Sequence, residues 1–211
     1  MDARIAIWFH ERLTHAFATV LWFLSLPGSE WWIGSLVVIV GVYLVWKRKW
    51  YGLSALMLSV PCGTLLNETL KILTHRPRPF PMGPFGYFDG YSFTSGHTTA
   101  ATLFYGIVAC MLVQEFKSRH WRVTTVLLAV LMVASVGFSR IALGAHYLSD
   151  VLAEMCLSGG WLAICVISIG TIRQRRIQMV ETTVESPLIR DEANNTGILK
   201  EAFEQQGLRR H

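Results

Sequence analysis

Between Ser139 and Asp150 the chain sets Arg140, His146 and Asp150 within twelve residues of otherwise apolar sequence. Ionisable side chains beside apolar segments are costly and are usually kept for a function. With residues 145–150 helical, His146 and Asp150 stand at i and i+4 on one face. A carboxylate so placed accepts a proton from one imidazole nitrogen, which fixes the tautomer and leaves the other nitrogen to attack or to take up a proton. Arg140 lies six residues before His146 and does not share that face, so Gly144-Ala145 reads as a bend. Arg140 then ends one helix and His146 lies in the first turn of the next. Taken alone, a His–Asp pair at this spacing is more often structural than catalytic, and its partners must decide.

Two other stretches carry chemistry. In Lys71-Ile-Leu-Thr-His-Arg-Pro-Arg78-Pro79, Lys71 sits near a helix end, where its long stem follows apolar surface and its ammonium reaches water. Arg76 and Arg78 each precede a proline, which biases both towards extended backbone. Lysine with planar guanidinium forks suits a bound phosphate, and equally suits lipid headgroups at a membrane surface. In Phe93-Thr94-Ser95-Gly96-His97, Thr94 or Ser95 can cap the long apolar helix that follows. The free N–H groups there form an anion site, which Gly96 lets backbone approach closely. His97 in the first turn is placed to protonate a leaving oxygen. A capped helix with an interfacial histidine is the plainer reading of the same residues.

The positioning elements are apolar helices. The 211 residues are 52% hydrophobic and 16% charged, with mean hydropathy +0.40, too apolar for a soluble core of this length. Runs near the roughly 20 residues that cross a bilayer recur along the chain. Residues 3–26 are interrupted by His10, Glu11 and Arg12, so Leu13–Leu26 either spans at a tilt or follows an interfacial amphipathic segment. After a turn at Pro27–Glu30, Trp31–Trp46, Trp50–Leu73, His97–Phe116, Val123–Phe138 and about Tyr147–Ile169 complete a set of about six spans. Lys47–Lys49, Lys117–Arg122 and Arg173–Arg176 fall on one side of a six-span chain, together with the N-terminus. The positive-inside rule places that side in the cytoplasm with both termini, and gathers the three motifs on the opposite face.

Residues 1–176 thus read as a membrane-embedded domain. Residues 177–211 read as a polar cytoplasmic tail, either disordered or with a short helix near Ile198–Gln206. Cys62, Cys110, Cys156 and Cys165 lie in apolar runs without metal-ligand spacing. The N-terminus, with Asp2, Arg4, Glu11 and Arg12, lacks the pattern of a cleavable signal peptide. A net charge of +5 is explained by cytoplasmic loops and a phosphate site, and gives no nucleic-acid signal.

Lys71-x6-Arg78-Pro79, Ser95-Gly96-His97 and Ser139-Arg140-x5-His146-x3-Asp150, in this order, resemble the three-part signature of the type-2 phosphatidic acid phosphatase superfamily. That superfamily also includes bacterial acid phosphatases, glucose-6-phosphatase and vanadium haloperoxidases. The resemblance covers about Gly52–Gly160. One position departs: Thr94 stands where the family usually has proline.

The resemblance implies an all-α polytopic membrane bundle with an acid phosphatase/vanadium haloperoxidase-like core. It makes His146 the nucleophile that forms a phosphohistidine, Asp150 the group that orients it, and His97 the general acid. Lys71, Arg78, Ser95, Gly96 and Arg140 hold the phosphoryl oxygens, with no metal and no cofactor. Arg76 falls outside the strict pattern; it reads as a solvated side chain, or as a contact to a second phosphate. Asn67 and Glu68 steady Lys71. The aromatic and glycine-rich loop Phe80–Phe93 forms a shallow rim for a lipid chain or an interfacial anchor.

The expected activity is hydrolysis of undecaprenyl diphosphate, phosphatidylglycerol phosphate or phosphatidate at the extracytoplasmic face of a bacterial inner membrane. The partners are the lipid phosphate and the bilayer. A phosphotransferase that passes the phosphoryl group to another lipid, and a non-catalytic lipid-phosphate binder or transporter, are the alternatives.

Overall fold

A computed structural model describes residues 2–88 and 90–185. Seven helices are described: α1 (Asp2–His10), α2 (His15–Ser25), α3 (Glu30–Trp46), α4 (Trp50–Thr74), α5 (Gly96–Glu115), α6 (Arg119–Ala142) and α7 (Leu148–Glu185). A 3-10 turn, Leu26–Gly28, joins α2 to α3, and a two-residue hairpin, β1 (Met82–Gly83) with β2 (Gly86–Tyr87), sits in the α4–α5 loop. The chain forms two compact units, Met1–Val166 and Ile167–His211. All the motif residues lie in the first. In the second, the described residues continue α7 as helix, so residues 177–185 are helical. The segment Ile198–Gln206 lies outside the described residues.

Among the described residues, four stretches are long and apolar enough to cross a membrane: His15–Trp46, Gly96–Glu115, Arg119–Ala142 and Leu148–Thr182. The six separate runs expected from sequence are therefore grouped differently. At ~1.5 Å per residue α2 is only roughly 16 Å long, about half a hydrocarbon core. It joins α3 through the Leu26–Gly28 turn to make one long apolar stretch. The 25-residue α4 is long enough but is diluted by polar side chains, Asn67, Glu68 and Lys71 among them.

The helix ends are fixed locally. Thr14 and Ser29 accept hydrogen bonds from Phe17 N and Trp32 N, capping α2 and α3. His75 takes a left-handed conformation and stops α4 ahead of Pro77. Gly144, at φ +74°, turns the chain between α6 and α7, where a side chain would also meet the Phe80 ring. That turn folds back so that the N–H groups of Ala145 and His146 both donate to the carbonyl of Arg140.

One end of the bundle is basic and carries the Lys49–Glu115 ion pair, which joins the start of α4 to the end of α5. The other end carries the motifs. The N-terminus lies at this second end: Asp2 accepts hydrogen bonds from Ser149 and Arg76, and the His10 ring stacks on Phe80 at 4.0 Å. This corrects the expectation that the N-terminus sits opposite the motifs. Counting Leu13–Leu26 and Trp31–Trp46 as two crossings reversed its side. Ala18 and Leu21 of α2 pack with Ala142 and Leu143, and Phe9, Leu13 and Phe88 close over them.

Gly28 is a tight joint near the motifs. A Cβ there would lie 2.5 Å from Val136 Cγ1 and 2.8 Å from the backbone oxygen of His97. Gly28→Ala should displace the first turn of α5 and cost about 1–3 kcal/mol. Gly34→Ala, where a Cβ would meet nothing within 4 Å, is the control. Thermal unfolding of both variants in detergent tests this; equal midpoints would show that the joint is not tight.

Candidate active site

α4 delivers Lys71 from its final turn. Its ammonium bonds Glu68 at 2.6 Å, and it lies so near α5 that a Cβ on Gly96 would come within 3.3 Å of Nζ. Asn67 is buried, donates to Glu68 at 3.2 Å and accepts from Thr94 Oγ1. The expected steadying of Lys71 by its neighbours is thus present.

Beyond His75 the chain runs through Arg76-Pro77-Arg78-Pro79 and returns at Ser92, whose N–H donates to Arg76 O at 2.8 Å. The two arginines take different partners. Arg78 donates to the carbonyls of Gly90 (3.1 Å) and Ala145 (3.0 Å), and its Nη1 lies 3.3 Å from His146 Nε2. Arg76 donates to Asp150, Ser149 and Asp2 and lies over the Tyr147 ring at 4.4 Å. It is neither a plain solvated side chain nor a group aimed at a second phosphate. It is committed to two carboxylates, Asp150 and Asp2.

Ser95 is the N-cap residue of α5, but neither expected cap forms through a side chain. Ser95 Oγ accepts from Thr98 Oγ1 at 3.0 Å, and the Thr94 hydroxyl is taken by Asn67. The first N–H groups of α5, beginning at Gly96, therefore remain available to an external acceptor. His97 stands in this turn.

Arg140, in the last turn of α6, is 8% exposed, and its Nε has no hydrogen-bond partner among the described residues. Its guanidinium and that of Arg78 both face the Phe88 ring, at 5.4 and 5.6 Å. Leaving a buried guanidinium N–H unpaired is expensive unless an anion completes it. Arg140, Arg78 and Lys71 act electrostatically on both His97 and His146, so the two rings share one cationic environment.

His146 does not enter α7. It lies two residues before Leu148, so the helical i, i+4 pairing with Asp150 does not arise. Its Nδ1 meets the backbone carbonyl of Ser92 at 2.6 Å. A carbonyl only accepts, so Nδ1 carries the proton, and the unprotonated Nε2 accepts from Arg78 Nη1. Asp150 therefore does not hold the imidazole directly, which corrects the sequence expectation. Its buried carboxylate accepts from Arg76, from Ser92 Oγ at 2.5 Å and from the N–H of Tyr147 at 3.0 Å. The Tyr147 contact is a capping-box bond at the start of α7, which explains why the helix begins only at Leu148. Asp150 acts on His146 through Ser92, whose hydroxyl it holds and whose carbonyl holds the ring.

Arg78, Arg140, Lys71, Ser95, Gly96, His97 and His146 thus come to one end of the bundle, with Asp150 behind them. Ser92, Phe88, Arg76 and Asp2 were not assigned to the site from sequence. Ser92 lies just before the second motif, and Arg76 inside the first. Asp2 carries no signal, being 147 residues from its partner Ser149.

Residues 49–174 match the PAP2 superfamily. Phosphatidylglycerophosphatase B of Bacillus subtilis is 35% identical over 133 residues, covering 62% of this chain and 64% of that protein. Lipid A 1-phosphatase of Rhizobium etli is 32% identical over 125 residues, covering 55% and 49%. The chain therefore spans less than two thirds of the length of either relative. The crystal structure of a transmembrane PAP2 type phosphatidylglycerolphosphate phosphatase from Bacillus subtilis superposes with TM-score 0.69 at 28% identity, covering 82% of this chain and 85% of that one. Aquifex aeolicus LpxE shares the fold at TM-score 0.58 and 18% identity, over 78% and 94%.

Burial, then Arg140 and Arg78, hold the His146 imidazole well below the usual histidine range, against a smaller opposing effect of the Ser92 carbonyl. The folded protein thus keeps this ring neutral at pH values where the unfolded chain, near 6.5, takes up a proton. As pH falls below that value, the folded state should lose stability by up to about 1.4 kcal/mol per unit until the folded pKa is reached. Thermal midpoints in detergent between pH 7 and 5 should fall more steeply for the native chain than for His146→Asn. Equal slopes would show that the ring titrates normally.

Proposed function

The chain belongs to the PAP2 superfamily, and from that premise we propose that it is an integral-membrane lipid phosphatase working through a phosphohistidine. The observation that carries the reading is His146: Nδ1–H fixed by Ser92 O at 2.6 Å, Nε2 left unprotonated and accepting from Arg78 Nη1 at 3.3 Å, and three cations around it. Binding a phosphate needs only the cations. A neutral imidazole held in one tautomer supplies a nucleophile as well.

In the reaction, Nε2 attacks phosphorus, the bond from phosphorus to the lipid oxygen breaks, and His97 gives that oxygen a proton. Water then attacks the phosphohistidine, its proton passes to His97, the N–P bond breaks, and inorganic phosphate leaves. Lys71, Arg78, Arg140 and the N–H groups at the start of α5 meet the oxygens of the transferred group. Phosphoryl transfer relies mostly on positioning and charge stabilisation, and these groups supply both without a metal.

The substrate is a lipid phosphate monoester or diphosphate. Phosphatidylglycerol phosphate, phosphatidate and undecaprenyl diphosphate are the leading classes, the first in keeping with the Bacillus subtilis relative. The bundle crosses the membrane with α2–α3 as one span and α4 as a polar-lined one, alongside α5, α6 and α7. Lys47–Lys49 and Lys117–Arg122 face the cytoplasm, which puts the site and the N-terminus on the extracytoplasmic side.

Purified protein should release inorganic phosphate from one or more members of a panel of prenyl diphosphates, phosphatidate, phosphatidylglycerol phosphate and lipid A. His146→Ala should lower turnover by about a thousandfold or more while the protein stays folded in detergent. Vanadate should inhibit and EDTA should not. Near-normal turnover of His146→Ala removes the nucleophile, and strong EDTA inhibition removes the metal-independent mechanism. A phosphorylated acceptor lipid without free phosphate would make the protein a phosphotransferase.

A further inference from the structure

α1 reaches the polar frame of the site through Asp2. Asp2 bonds the Ser149 hydroxyl, lies 3.4 Å from the Ser149 N–H, and pairs with Arg76 Nη2 at 3.2 Å. Ser149 is the second residue of α7, so this carboxylate also meets an N–H that the helix itself leaves unpaired. On the other prong of the same guanidinium, Arg76 Nη1 donates to Asp150 Oδ1 and to Ser149 Oγ at 2.9 Å. Asp150 Oδ2 takes the Ser92 hydroxyl at 2.5 Å, and Ser92 O takes His146 Nδ1 at 2.6 Å.

One carboxylate on a guanidinium leaves its plane free to swing. Carboxylates on both prongs, with an aromatic face against it, fix that plane. Tyr147 supplies the face at 4.4 Å. Asp150 is fully buried, so Arg76 is the cation that makes its charge tolerable, and Asp2 aims that cation.

We infer that Asp2 is a positioning residue for His146: through Arg76, Asp150 and Ser92 it sets the direction in which Nε2 points. Asp2 touches no reacting atom. Its side chain is partly exposed, and it stays anionic because the Ser149 hydrogen bonds and the Arg76 charge hold its carboxyl below the usual range. The amide of asparagine keeps the shape but removes the charge that aligns the fork. Glutamate keeps the charge at the cost of one methylene.

The inference rests on His146 as the nucleophile, and the test separates the two ideas. Asp2→Asn, Asp2→Glu and the native chain are compared for phosphate-release kcat and KM, for vanadate affinity, and for thermal midpoint in detergent. Asp2→Asn should lower kcat about tenfold with KM changed less than about twofold, because misdirected attack slows chemistry more than binding. It should weaken vanadate binding several-fold at a nearly unchanged midpoint, and Asp2→Glu should recover most of both losses. Native-like kcat and vanadate affinity in Asp2→Asn overturn the inference. So does a loss of kcat that tracks a falling midpoint in both variants, since a fold anchor alone would give that. If the native chain releases no phosphate from any lipid, the proposed function fails. Vanadate affinity, which needs no substrate, still decides whether Asp2 aims His146.

Discussion

One buried carboxylate organises this end of the molecule. Asp150 is wholly inaccessible and accepts from three donors on separate pieces of chain: the Arg76 guanidinium, the Ser92 hydroxyl and the Tyr147 N–H. A buried carboxylate without partners would cost several kcal/mol. With these three, it ties the α4–α5 loop to the start of α7 and, through Arg76, to α1. The His146 imidazole inherits its orientation from that knot. Among the described residues it meets no carboxylate directly, and its Nδ1 rests on the carbonyl of the residue whose hydroxyl Asp150 holds.

This indirect route has a consequence for charge. A carboxylate bonded directly to Nδ1 would favour the imidazolium. A neutral carbonyl stabilises the imidazolium less, and with burial and nearby cations the ring stays neutral and Nε2 keeps a lone pair, which Arg78 Nη1 meets at 3.3 Å. The negative charge of Asp150 goes instead to Arg76, away from the cations that face the proposed phosphate. The two arginines of Arg76-Pro-Arg78 thus divide the labour: one neutralises the frame, the other joins the anion site.

How much of this was legible in the sequence follows from the range of each interaction. The motifs, the helix after Ser95, the bend at Gly144 and the steadying of Lys71 by Glu68 are set by neighbours within a few residues, and reading outward from those residues reached them. The pairing of His146 with Asp150 was misjudged because the i, i+4 rule needs both residues inside a helix, and Asp150 caps Tyr147 instead of facing His146. The side on which the N-terminus lies depends on how many crossings precede α4. Hydropathy saw two apolar runs where a 3-10 turn joins α2 and α3 into one stretch. Asp2 was beyond reach, since no periodicity or motif connects it with Ser149, and only the packing of α1 brings them together.

The same packing explains how like charges are kept close without an anion. Arg140 and Arg78 share the Phe88 ring, whose face attracts both. Phe88 is in turn held against the apolar cluster of α2 and α6. Arg78 is further tied to two carbonyls, and Lys71 to Glu68. Among the described residues the buried Arg140 Nε–H has no partner, so the repulsion and this hydrogen bond are both open to an anion. A tetrahedral anion relieves both at once, and a trigonal phosphoryl group in transit relieves them best where its charge spreads over three equatorial oxygens towards three separate cations. The cost of holding those cations in place is met before the substrate arrives, by Phe88, the loop carbonyls and Glu68. For a phosphoryl-transfer site that is what preorganisation means.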